Sequence, residues 1–232
     1  TSGFEIKVDW RNTVKGKFDE GITAFPDNEG NRFFTSGYTK SKSPFPDKAV
    51  TYLRMIDDMG ELNESRLYEK FAGSLRPAKG INNDYVFSGQ IYDKKNYLGV
   101  EYLLLDKDLS IKSRFNVDTK LFDTSGGVIT DGEYYYSLVS HQDWLSPENK
   151  DPEPMSFTIY KLDRNLKKVS SNTFKIKNID GEHIGPVSAS ASSMVFRDGK
   201  LWFFVNYDKY MSGPNLESKL FNEKKQSGIR FY

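Results

Sequence analysis

Two clusters in the chain have residue types that could do chemistry. Asp19-Glu20 and Glu182-His183 each open a strand-like segment. Paired carboxylates there could share general acid and base work on a glycosidic bond, with His183 assisting. The second cluster is His141-Gln142-Asp143-Trp144, at the head of the segment running to Ser156. An indole beside an imidazole, an amide and a carboxylate suits a polyol, since the ring supplies affinity and the polar groups fix orientation. The plainer reading is that Trp144 packs its own loop and the acids are solvated. Tyr92, Tyr97, Tyr207 and Tyr210 extend this candidate binding set.

Other chemistries have less support. With 0 Cys and 2 His, thiol nucleophiles, Cys-based zinc sites and His-rich metal sites are excluded. Asp106-Lys-Asp-Leu-Ser110 imitates the start of a calcium loop but lacks its later Gly and Glu, so no metal is expected there. There is no phosphate-binding Gly-rich loop, nucleophile elbow or dinucleotide fingerprint, so no cofactor is expected either.

The elements that must hold these residues are strands. Aromatics make up 15% of the 232 residues, with 14 Tyr and 17 Phe, and this bias favours sheets over helices. A net charge of +1, from 33 Lys+Arg against 32 Asp+Glu, gives no electrostatic case for nucleic acid or an anionic membrane. The longest apolar run, Leu201-Trp-Phe-Phe-Val205, is far short of the roughly 20 residues a span needs, so no membrane insertion is expected.

Four segments share a pattern of small or β-branched strand, polar turn and aromatic strand. They are Gly21–Phe34, Gly80–Phe87, Gly127–Tyr136 and Ser190–Phe204. Asp131-Gly132 and Asp198-Gly199 predict type I′ hairpins. A second pattern follows the first three: a strand closing on Asp57, Asp106 or Asp163, then a polar alternating strand. An Asp at that place can bond the backbone two residues on. Four strands in about 50 residues is the period of a propeller blade. The sequence therefore predicts an all-β fold, a single domain over 1–232. It is a small β-propeller of about four four-stranded antiparallel blades, with five as the upper alternative. The units are 20–71, 79–115, 126–174 and 188–232, the last completed by the alternating strand Phe4–Trp10.

Phe33-Phe-Thr-Ser-Gly-Tyr38 and Tyr52-Leu-Arg-Met-Ile-Asp-Asp-Met-Gly60 resemble the propeller repeats of bacterial secreted and cell-surface proteins, and Phe87-Ser-Gly89 with Tyr102-Leu-Leu-Leu-Asp106 keeps part of the pattern. The later units depart from it. The resemblance implies a secreted or cell-surface setting and a role in adhesion, display or recognition.

In such blades the second-to-third strand connections lie on one face. Here they are Thr39–Lys48, Ile91–Leu98, His141–Ser156 and Asp208–Ser227, which hold most of the excess length. The expected function is a non-enzymatic recognition module, with a glycan or a protein as its ligand. The alternatives are a glycan-active hydrolase using Asp19, Glu20, Glu182 and His183, and a structural domain of a larger surface assembly.

Overall fold

A computed structural model describes residues 19–26, 32–39, 50–57, 62–69, 71–93, 96–142, 155–176, 189–208 and 227–231. The described residues are almost wholly β: fifteen strands and one 3-10 turn, Ile81–Asn83. Every pairing is antiparallel, and each sheet is an open meander in chain order. The first sheet comprises β1 (Asp19–Pro26), β2 (Arg32–Thr39), β3 (Val50–Asp57) and β4 (Leu62–Glu69). The second comprises β5 (Phe71–Lys79), β6 (Tyr85–Asp93), β7 (Asn96–Leu105) and β8 (Ile111–Val117). The third comprises β9 (Phe122–Thr130), β10 (Tyr135–Gln142), β11 (Ser156–Leu162) and β12 (Lys168–Lys175). The fourth has three strands, β13 (Ala189–Arg197), β14 (Lys200–Asp208) and β15 (Ser227–Phe231). Phe4–Trp10, the expected closing strand, lies outside the described residues.

The chain forms two compact units, Thr1–Leu75 and Arg76–Tyr232, with the boundary inside β5. In the first unit, β1 to β4 form the sheet the sequence predicts, and Leu53, Met55 and Ile56 are buried on β3.

In the second unit, β9 lies against β6 and β7 on one side and β13 on the other. Two cores fill the gaps. Val86, Val100, Tyr102, Leu104 and Val117 meet Val128, Tyr135, Val139, Leu162 and Leu166. On the opposite face, Leu138, Met155 and Phe157 pack with Ile176 and Phe203. A sheet covered on both faces has no solvent side, so its inner strands need not alternate. That accounts for the unbroken burial of Ser137–His141 on β10, whereas the outer strand β12 is exposed along most of its length.

The repeat is finer than the sequence indicates. In three sheets the fourth strand carries one unpaired residue just after its start: Asn63, Lys112 and Val169. These are β-bulges, and the bulge leaves the apolar Val169 52% exposed. The first strand also breaks register, at Ile22 in β1, at Gly126-Gly127 in β9 and at Ser192 in β13.

The turns follow the Asp pattern. Asp106 Oδ1 accepts the N–H groups of Asp108 and Ser110, each at 2.9 Å. Asp163 Oδ1 accepts those of Asn165 at 2.8 Å and Lys167 at 2.9 Å. Each turn ends on a left-handed leucine, Leu109 (φ 61°) and Leu166 (φ 59°). Both side chains are 1% exposed, so burial offsets a backbone conformation that leucine disfavours. Asp106 thus serves its own turn.

Three expectations need correction. Gly80–Asp84 is a turn and not the first strand of its unit. That strand is β5, seven to nine residues earlier in the chain than the pattern suggested, and Arg76-Pro77 masked it as a loop. Ile91–Leu98 is not a long loop, because β6 and β7 pair as far as Asp93 and Asn96. Asp131-Gly132 is not a type I′ turn. Among its residues only Gly132 has positive φ, at 95°, and Asp131 Oδ1 instead accepts Glu133 N–H and Tyr134 N–H. Asp198-Gly199, at φ 52° and 69°, is the type I′ turn expected.

Candidate functional site

The chemistry-bearing side chains of the second unit gather where β10 gives way to the 143–155 connection. The register places His141 opposite Asp123 on β9 and Ser156 on β11. His141 is the last residue of β10 to be buried, at 4% exposure, and Asp123 is fully buried. Asp123 Oδ1 lies 2.5 Å from His141 Nδ1. The same carboxylate accepts Thr119 Oγ1–H at 2.6 Å and Thr119 N–H at 3.1 Å. With the carboxylate accepting, Nδ1 carries a proton, and Nε2 meets Thr158 Oγ1 at 2.7 Å. Thr158 Oγ1 also meets Thr173 Oγ1 at 2.8 Å. The chain of bonds runs from a fully buried acid to Thr173, which is exposed on β12.

The backbone of Asp123 is held as firmly as its side chain. Its N–H donates to Tyr97 Oη at 2.9 Å, and its carbonyl accepts Tyr97 Oη–H at 2.6 Å and Gln90 Nε2–H at 3.2 Å. The end of β6 and the start of β7 are thereby pinned to the start of β9. Burial raises the Tyr160 phenol, and the negative charge of Asp123 adds to that; the phenol's hydrogen bond with Thr158 works the other way.

A carboxylate on Nδ1 and a hydroxyl on Nε2 is the connectivity of a nucleophilic triad. Here the hydroxyl is buried and already shared with Thr173 and Tyr160. The arrangement braces four strand ends; it does not present a nucleophile.

Deeper in the same core lies a second polar chain. Tyr102 Oη donates to Ser125 Oγ at 3.2 Å and accepts the hydroxyl of Ser137. Ser125 Oγ donates to Ser88 Oγ at 3.0 Å and accepts Gly127 N–H at 3.0 Å. All four side chains are buried. Among the described residues, no buried side-chain polar atom lacks a partner.

Of the expected binding residues, His141 and Tyr97 both bond to Asp123. His141 is committed to the brace, and Tyr97 serves it through its hydroxyl. Gln142 is half-buried at the strand end. Tyr92 pairs with Tyr97 across the β6–β7 hairpin, and Tyr207 on β14 pairs with Ala189 and Gly228. Asp19 and Glu20 lie on β1 opposite Thr39 and Tyr38. Asp143, Trp144, Glu182, His183 and Tyr210 lie outside the described residues. Sequence reading missed Asp123, Thr119 and Thr158. Only strand register could have found them, because the partners of His141 are cross-strand neighbours and not chain neighbours.

No family model and no curated protein matches the sequence. Among solved structures, a mutant of the Synechocystis apocarotenoid oxygenase is similar at 10% identity and a TM-score of 0.44, over 88% of this chain and 48% of that one. The polysaccharide lyase Uly1 is similar at 10% identity and a TM-score of 0.42, over 90% of this chain and 57% of that one. The chain spans about half the length of these structures. Likeness at this level says nothing of their chemistry.

Proposed function

We propose that the chain is a non-enzymatic recognition module, its sheets acting as blades of a small propeller. A glycan is the first candidate ligand, held where the β10–β11 connection leaves its sheet. One observation carries the reading: the buried Asp123–His141–Thr158 brace ties together the strand ends that the connection joins. A rigid base under a long connection is how scaffolds present binding residues. Trp144, two residues beyond the described end of β10, is the expected anchor, with Tyr210 of the β14–β15 connection beside it in role. The sheet stacking within the second unit supports the blade reading.

The test is a panel of immobilised glycans and proteins probed with the parent chain, Trp144→Ala and Tyr210→Ala. Removing an aromatic anchor should weaken binding by about tenfold or more. Unchanged binding by both variants would show the placement to be wrong.

A further inference from the structure

We infer that His141 is a positioning residue for the β10–β11 connection: through Asp123 on one side and Thr158 on the other, it fixes both stems from which the connection springs. The functional part of this inference rests on the recognition reading above.

The two stems converge on one imidazole. The outgoing stem is Ser140-His141-Gln142, and the returning stem begins at Met155, which is fully buried. The backbone ladder joins them only as far as the pair His141 and Ser156. Among the described residues no β10–β11 pairing lies beyond that rung, and the outgoing stem is held only by the pairing of Gln142 with Phe122 on β9. The His141 ring extends the restraint sideways, to β9 through Asp123, to β11 through Thr158 and, by way of Thr158, to β12 through Thr173. Thr119 brings in the β8–β9 connection through its two bonds to Asp123. Five segments therefore depend on one ring at the point where the ladder ends.

The composition of this corner also points to positioning. Burying a carboxylate costs free energy unless hydrogen bonds compensate, and a well-packed apolar group in its place is often as stable or more so. What directed bonds add is a fixed orientation. A fixed orientation of two stems lowers the entropy that a connection between them loses on binding.

Thr158→Val removes the hydroxyl that meets Nε2 and keeps the shape of the side chain. Thr158→Ser keeps the hydroxyl. Leu162→Ala in the same sheet lowers global stability by opening a cavity at the far end of β11, where Leu162 faces Tyr135. Two measurements on the whole chain decide the matter. The first is amide hydrogen exchange at residues 140–142 and 156–158, with β6 and β7 as the internal reference. The second is binding to the glycan panel, well below the melting temperature.

Thr158→Val should raise stem exchange about tenfold relative to the reference and weaken binding without changing which glycans are preferred. Thr158→Ser should restore both, and Leu162→Ala should leave binding unchanged. Equal stem exchange in Thr158→Val and the parent overturns the inference. So does loss of binding in Leu162→Ala equal to that in Thr158→Val. If the parent binds nothing on the panel, the recognition reading fails separately, and stem exchange alone decides whether His141 fixes the stems.

Discussion

Replacing Tyr102 by Phe removes one oxygen from the centre of the second unit and leaves the ring against Phe115, whose centroid is 5.7 Å away. That oxygen donates to Ser125 and accepts from Ser137. Ser125 keeps Ser88 and the Gly127 N–H, but Ser137, fully buried, loses its hydroxyl partner. Two net bonds at about 1 kcal/mol each, with some penalty for the orphaned hydroxyl, give a loss of roughly 2–3 kcal/mol at neutral pH. Ser137→Ala in the same background removes the orphan. The double variant should therefore cost about 1 kcal/mol less than the two single losses added together. Burial pushes the Tyr102 hydroxyl up to about 12, against the opposing bonds with Ser125 and Ser137. The unfolded chain ionises this group near pH 10 and the folded one near 12. The parent's stability should thus fall across that window by up to about 2.7 kcal/mol from this group alone. Tyr102→Phe lacks the group, so the gap between parent and variant should narrow as pH rises from 10 to 12. Urea denaturation followed by circular dichroism, at neutral pH and across the alkaline window, measures both effects. Strict additivity at neutral pH, together with a gap that stays constant above pH 10, would refute the reasoning.

Two further substitutions test the backbone. Gly99 sits at φ +114°, and an added Cβ would lie 2.1 Å from the Val117 carbonyl oxygen. Gly99→Ala should therefore cost about 3 kcal/mol or more in chemical denaturation. Gly132→Ala, at φ +95° with open space around it, should cost only about 1 kcal/mol, and equal losses would mean that the close approach is unimportant. Asp163→Ala removes two acceptor bonds from its turn and should cost about 1 kcal/mol, while Asp163→Asn, which keeps Oδ1, should cost less; a neutral Asp163→Ala in the same assay would refute the capping role.

The strands were legible wherever a local rule governs them. Asp106 and Asp163 marked their turns because an Asx carboxylate reaches the backbone within four residues. Asp198-Gly199 marked a hairpin because both positions need positive φ. β5 was hidden because Arg76-Pro77 imitates a loop. The site was half legible. His141 was picked out by its type, but its role depends on Asp123 and Thr158, which are 18 and 17 residues away in sequence. Nothing in the local sequence around those two residues announces a partner; that information lies in which rung of one strand faces which rung of the next.

The register breaks in β9 and its counterparts have a consequence for how the chain tolerates change. Ahead of Gly126-Gly127, odd-numbered side chains such as Asp123 and Ser125 face inward; after it, the even-numbered Val128 does. The break works as a phase shifter that lets one strand show a polar inner half and an apolar inner half. β1 and β13 break register in the same way, at Ile22 and Ser192. Hybrids that exchange sheets within the chain should therefore be aligned on the break and not on the hairpin. Counting from the wrong landmark would turn Asp123 and Ser125 outward.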